Sequence, residues 1–260
     1  MDSSTLNKWY RGPPVLVAVL VPVLARPKNV LPLLESFLAS CAAGVDATLF
    51  FLVSSDDREE ERAIVDAAQR LNLIPPFDLK IARWYAGKIG CLRAPSDSGT
   101  WAKKINLGYR STREPWMLLG ADDLHFHAGW VDSVREHLDA GARGVIGTND
   151  LGNGYTVTGW HSTHPLVSRK YADLHGTVDG PGAICHAGYK HNFVDNEIVA
   201  TARARNEFLH VPECVVEHLH PLWGKGEDDS TYRLGQSSFV EDSVLYEERA
   251  KRYGWMGGAI

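Results

Sequence analysis

Seven consecutive apolar residues, Val15-Leu-Val-Ala-Val-Leu-Val21, open the patterned part of the chain. An unbroken run of this kind predicts a strand covered on both faces, ended by Pro22 and Pro27. Asn29 to Ala43 (NVLPLLESFLASCAA) reads as a helix, with Pro32 in its first turn, where proline is tolerated. Ala47-Thr-Leu-Phe-Phe-Leu-Val53 is a second buried strand that runs into Ser54-Ser-Asp-Asp57. Arg58 to Leu73 is a charged amphipathic helix stopped by Pro75-Pro76. A weaker strand at Leu79–Trp84, a loop, a helix near Thr100–Arg110 and the strand Trp116-Met-Leu-Leu119 follow.

This β-α-β-α alternation predicts a mostly parallel sheet with helices on both faces, in which ligands bind beyond the carboxyl ends of the strands. Two acidic loops, Ser54–Asp57 and Gly120–Asp123, stand at those ends. Ala128 to Ala140 is expected to be a helix. After Gly144-Val-Ile-Gly147 the periodicity fades: residues 149 to 192 are rich in Gly, His, Asn and Thr, with one short helix near Ser168–His175. Such a segment is expected to shape a substrate site rather than to form core. A helix over Asp195–Arg205, a strand over Leu209–His220, a mobile loop over Gly224–Tyr232 and a charged helix over Val240–Tyr253 complete the pattern.

Composition narrows the classes. With 27 basic and 32 acidic residues among 260, the net charge of -5 argues against a surface coated with phosphate-binding charge. Cys41, Cys91, Cys185 and Cys214 are scattered and form no C-x-x-C pair, which fits a reducing compartment. The longest apolar run, Val15–Leu24, is half of the roughly 20 residues a membrane span needs, and the polar leader lacks a basic secretion signal. A cytoplasmic protein without a membrane span is expected.

Chemistry concentrates in three places. Asp122-Asp123, at the end of a strand, either binds a divalent ion or helps to begin a helix, since Asp123 or His127 is a good N-cap. His218 and His220 share one face of a strand, as metal ligands, phosphate donors or ordinary edge-strand imidazoles. Asp195 and Glu197 lie about 200° apart on a helix, so only one of them can face a site, as a general base. Arg26 and Lys103 or Lys104 flank the crevice. His161, His164, His175, His186 and His191 are dense enough to raise a second metal site, although their spacing matches no closed zinc site.

Taken together, these pieces resemble the family 2 type of glycosyltransferase with a GT-A fold. VLVAVLVPVLARP (Val15–Pro27) is similar to that family's first strand and turn. Lys104-Ile-Asn-Leu-Gly108 resembles its R-N-x-G helix, with Asn106 and Gly108 in place, and WMLLGADD (Trp116–Asp123) resembles the strand leading to its D-x-D motif. Val194-Asp-Asn-Glu-Ile198 with Arg203 is similar to E-D-x-D-L and its trailing arginine, and LHVPECVVEHLH (Leu209–His220) to the strand ending in histidine. The likeness runs from about residue 13 to residue 222, with Gly120 in place of the motif's first Asp and Val194 in place of a Glu. Compact, phage-encoded members are the most similar.

The resemblance implies a single GT-A-like domain, with a nucleotide-sugar-binding half over about residues 13–127 and an acceptor-binding half over about 128–260. It implies transfer of a sugar, with inversion, from a UDP- or GDP-sugar, assisted by Mn2+ or Mg2+. Asp122 and Asp123 with His218 or His220 would hold the ion, Asp195 would be the base, and Asp56 or Asp57 would contact the nucleotide base. Arg26 and Lys104 would sit near nucleotide or phosphate, and Lys225–Tyr232 would close as a lid. A virion protein, a modified DNA base, a lipid and a saccharide are all open as acceptors. The competing expectations are a nucleotidyltransferase, which lacks its Gly-rich basic loop here, and a glycan- or nucleotide-binding protein without catalysis.

Overall fold

Strands β1 (Val17–Pro22) and β2 (Ala47–Ser54) are buried along their whole length in the computed structural model, which describes residues 16–41, 47–73, 83–86, 88–95, 100–140 and 144–255. Side-chain alternation explains the two-sided burial. Val17, Val19 and Val21 join Leu49, Phe51 and Val53 in one apolar layer with helices α1 (Pro27–Ser40) and α2 (Arg58–Arg70). Ala18, Leu20, Phe50 and Leu52 face a second layer with α3 (Trp101–Ser111). Gly108 lets α3 sit close to β1, because a Cβ there would stand 2.8 Å from a Leu20 methyl.

The remaining elements are β3 (Arg83–Ala86), β4 (Ile89–Ala94), β5 (Trp116–Leu119), β6 (Leu124–Phe126), α4 (Arg135–Asp139), β7 (Val145–Asn149), α5 (Gly154–Val157), β8 (Leu166–Ser168), α6 (Arg169–Leu174), α7 (Val194–Ala204), β9 (Phe208–His218), α8 (Ser230–Ser237) and α9 (Phe239–Tyr253). The described strands form one sheet in the order β3-β4-β2-β1-β5-β8-β7-β9-β6. Strands β4, β2, β1 and β5 run parallel, β8 enters antiparallel between β5 and β7, and β7 and β9 are again parallel. The carboxyl ends of β1, β2 and β5 therefore open on the same edge, as the alternation of elements predicts.

Several elements differ from the sequence expectation. Pro27 is the first residue of α1, so Pro32 lies inside the helix rather than in its first turn. The segment expected to be a loop at Ile89–Ala94 is a strand paired with β2; Gly90 and Arg93 interrupt its apolar pattern. The helix expected over Ala128–Ala140 shrinks to a 3-10 turn at Asp132–Val134 and the short α4. Strand β6 follows Asp123 directly, so neither Asp122 nor Asp123 caps a helix. The expected mobile loop ends in α8, capped by Asp229, whose side chain accepts from the Thr231 and Tyr232 amides. Val15, Pro75-Pro76 and positions 79–82 lie outside the described residues. Among the described residues no helix is long and apolar enough to cross a membrane, and all four cysteines are free.

Candidate active site

The edge formed by the carboxyl ends of β1 and β5 opens into a cleft of ≈ 1950 Å³, lined by Arg26, Lys104, Asp122, Asp123, His161, Asp195, His218 and Tyr232 among others. It exceeds the few hundred to about 1,000 Å³ of an ordinary small-molecule pocket, so two substrates can share it. Strand β5 delivers Asp122 and Asp123. Gly120, just before them, donates its N–H to Leu20 O at 2.8 Å, and a Cβ there would lie 3.1 Å from the same oxygen. A side chain at this position would press on the backbone of β1.

Arg26, from the loop after β1, is the hub. Its Nη1 donates to Asp122 Oδ1 at 3.0 Å and Asp123 Oδ2 at 3.1 Å, and its Nη2 donates to Asp229 Oδ1 at 2.9 Å. The guanidinium lies 4.0 Å from the centre of the Tyr232 ring, and the Tyr232 hydroxyl donates to Asp123 Oδ2. His218 Nε2 makes an ion-pair contact with Asp123 Oδ1 at 3.3 Å. The antiparallel register Leu124↔His218 sets this contact by placing the end of β9 beside the aspartate pair. Burial and the neighbouring Asp123 charge push the Asp122 carboxyl up. Burial would raise Asp123 as well, but His218, Tyr232 and Arg26 outweigh it and hold that carboxyl below the usual range.

Three carboxylates thus share one guanidinium and one imidazole, which leaves room for further positive charge. Among the described residues no group of three or more His, Cys, Asp or Glu forms a ready-made metal cage. The donor chemistry nevertheless fits a hard divalent ion. Asp123 Oδ1 is buried with no hydrogen bond beyond its ion-pair contact with His218, and Mg2+ and Mn2+ take one or two carboxylates while phosphate oxygens and water fill the other positions.

The other expected site residues divide. Asp195, near the start of α7, lines the cleft and accepts from His161 Nε2 at 2.9 Å. Glu197 does not face it: Arg249 binds its two oxygens at 2.7 Å each and Tyr189 donates at 2.8 Å, all within the core. Glu197 is therefore a structural anion rather than a base. Asn106 is likewise structural, since its carbonyl accepts from the Ile184 and Cys185 amides and its NH2 donates to Cys185 O. Lys104 reaches the cleft wall, yet its Nζ donates to Val23 O at 2.6 Å, and burial draws its pKa down to about 8.

Asp57 caps α2 through the Glu60 amide and accepts from the Ala25 amide at 3.0 Å, while Asp56 is exposed. Neither lines the cleft, so the expected contact to a nucleotide base finds no support in their placement. Asp57→Ala is expected to cost about 1–2 kcal/mol, as lost N-caps do, measured by chemical denaturation.

His220 also departs from expectation. Strand β9 stops at His218, and His220 instead caps a 3-10 turn by accepting from the Leu222 amide at Nδ1. No hydrogen bond or ion pair joins it to either aspartate among the described residues, which leaves His218 as the imidazole of the pair. The second histidine cluster divides: His175 pairs with Glu207 and His186 with Asp179, while His161, paired with Asp195, lines the cleft with His191 and with His164, whose ring lies 4.7 Å from that of His218.

The sequence placed His161 in a histidine cluster for a second metal and Asp229 and Tyr232 within the Lys225–Tyr232 lid, without their pairings to Asp195, Arg26 and Asp123. The D-D-S-T-Y run has the form of a helix cap, the one signal that could have located α8. Nothing local announces its pairing with Arg26, some two hundred residues away. Asp150 was missed. It accepts from the Gly152 and Asn153 amides and from Thr163, and its carbonyl receives the His218 amide, so it ties the 150–163 segment to the end of β9.

No protein-family model matches the sequence, and no curated protein matches it. The architecture is nevertheless shared: this is a GT-A fold, the α/β class of the glycosyltransferases it superposes on. The mannosyltransferase PcManGT from Pyrobaculum calidifontis, solved with GDP-Man and Mn2+, aligns at 12% identity and a TM-score of 0.63 over 95% of this chain and 68% of that one. Glucosyl-3-phosphoglycerate synthase from Mycobacterium tuberculosis, solved with Mn2+, UDP-Glc and phosphoglyceric acid, aligns at 13% and 0.54 over 95% and 82%. TarS 1-349 from S. aureus aligns at 12% and 0.54 over 77% and 59%.

Proposed function

We propose that this chain is a nucleotide-sugar-dependent glycosyltransferase. The observation that carries the reading is the Asp122-Asp123 pair at the end of β5, facing a cation in a cleft that also holds Asp195. The GT-A fold, shared with transferases solved with GDP-Man or UDP-Glc and Mn2+, supports the same reading. The donor is a UDP- or GDP-sugar. Mn2+ or Mg2+ held by Asp122, Asp123 and His218 would supply positive charge to the departing diphosphate. Arg26 is placed to exchange its carboxylate partners for phosphate oxygens, which it can grip with two N–H groups at once. Asp229 and Tyr232, at the start of α8, close over Arg26 and exclude water from the donor. The acceptor approaches from the side of the His161–Asp195 pair and gives up its proton to that pair, giving a single displacement with inversion.

Release of nucleoside diphosphate from UDP-glucose and GDP-mannose, with Mn2+ or with EDTA, tests this. Metal-dependent release from at least one donor is expected, and its absence for every donor would contradict transfer. The tight closure of Asp229 and Tyr232 over Arg26 favours a second reading, donor binding without transfer. Stabilisation by a nucleotide-sugar with no release of diphosphate would select it.

A further inference from the structure

We infer that His161 is the acceptor-activating base and that Asp195 is its positioning residue; the inference rests on the glycosyltransferase reading above. The two side chains form a dyad on the cleft wall, with Nε2 of His161 2.9 Å from Oδ2 of Asp195 and only 12% and 24% of their side chains exposed. A carboxylate can only accept, so Nε2 carries the proton of this bond and Nδ1 keeps its lone pair. Nδ1 has no hydrogen bond among the described residues. The arrangement is that of a histidine held in one tautomer by a buried acid, where the acid also stabilises the imidazolium that forms.

The surroundings fix this imidazole from both sides. Its own amide donates to Tyr155 O at 3.0 Å, at the turn that follows α5. The preceding Trp160 ring lies 4.6 Å from the Arg203 guanidinium, which in turn donates to Gly159 O at 3.4 Å. From the other side Asp195 is fixed in the first turn of α7, which begins after Phe193 in a left-handed conformation at φ 63° and packed on Tyr246. Arg203, His164, His191, His218, Cys185 and Tyr246 are among the charged or titratable groups near the dyad. The dyad, His191, His218 and the aspartate pair all line the same cleft.

In the reaction, Nδ1 of His161 takes the proton of the acceptor hydroxyl as the oxygen's electron pair forms a bond to the anomeric carbon. The bond from that carbon to the diphosphate oxygen breaks, and its electron pair leaves on the nucleoside diphosphate. The positive charge gained by the imidazole is offset by Asp195. With water in place of the acceptor, the same step is donor hydrolysis.

The test uses the full chain with UDP-glucose or GDP-mannose and Mn2+, reading diphosphate release beside thermal stabilisation by the matching diphosphate. His161→Gly is expected to lower kcat about 100-fold or more, with donor KM and diphosphate stabilisation unchanged, and added imidazole is expected to restore part of the rate. Asp195→Asn is expected to lower kcat without rescue by imidazole and to remove the Nε2–H tautomer preference of His161 seen by nitrogen NMR. Two results overturn the assignment: a His161→Gly enzyme within a few-fold of the wild-type kcat, or a wild-type His161 without the Nε2–H tautomer. If the wild type binds no diphosphate, the glycosyltransferase reading itself fails, an outcome separate from either of these.

Discussion

Asp123→Asn is expected to abolish metal-dependent release of diphosphate, lowering kcat by about 100-fold or more, the scale on which loss of one preorganised electrostatic contact acts. The reason is the unequal burden on the two aspartates. Asp123 Oδ2 accepts from both Arg26 and Tyr232, while Oδ1 faces His218 and is otherwise without a hydrogen bond. An amide at this position keeps the shape but removes the charge that orients all three partners, and it gives a metal a far poorer ligand. Asp122 retains its own bond to Arg26, so the fold is expected to survive. Diphosphate-release kinetics with Mn2+, read beside the melting temperature of the free protein, check this. A variant with wild-type turnover would falsify the metal assignment.

Arg249→Ala is expected to be the most destabilising single change among those considered, by about 3–5 kcal/mol, because it strands a buried carboxylate. The guanidinium holds both oxygens of Glu197 at 2.7 Å and both of Asp179 at 3.2 and 2.8 Å. Among the described residues, removing it leaves Glu197 with only the Tyr189 hydroxyl as a side-chain partner. Replacing both partners at once, as Arg249→Met with Glu197→Leu, is expected to recover most of the loss, since no unpaired charge then remains. Urea denaturation of the wild type, the two single variants and the double variant completes the cycle. The pair also joins α9 to the helix that carries Asp195, so the single variant is expected to lose turnover at temperatures where it is still mostly folded.

The parallel half of the sheet was legible because β1 and β2 are apolar at every position or nearly so, a pattern that only two-sided burial explains. The aspartate pair was legible as chemistry for the same reason: a buried strand delivers two charges to an open edge. The geometry of α7 correctly predicted that Asp195 and Glu197 diverge. It could not show that Glu197 would turn to a core arginine rather than to solvent, because Arg249 lies 52 residues on. Strand β4 escaped because glycine and arginine break its pattern, and β8 because three residues carry no period. The pairings of Asp229 and His161 escaped for a shared reason. Their partners, Arg26 and Asp195, are set by how α8 and the 150–163 segment fold back over the cleft, and no local spacing encodes that.

The loose match of Lys104-Ile-Asn-Leu-Gly108 to a family helix acquires a physical meaning here. Gly108 permits the close approach of α3 to β1, Asn106 fastens the 184–185 backbone, and Lys104 supports the loop after β1 through Val23. These residues brace α3, β1 and the loop after β1, and both ends of the Asn106 amide are engaged by backbone groups.

The central claim is that the cleft over Asp122, Asp123 and Arg26 binds the diphosphate of a nucleotide-sugar with the help of a divalent ion. Thermal unfolding of the full chain with UDP, GDP, ADP and CDP, each with and without Mn2+, measures this directly. A single site filled to 100 times its Kd stabilises the folded state by about 2.7 kcal/mol, which is readily seen as a shift in Tm. Selective stabilisation by one diphosphate, UDP or GDP, is expected, requiring Mn2+ and lost in Asp123→Asn. Equal curves with every nucleotide, with and without Mn2+, would contradict it.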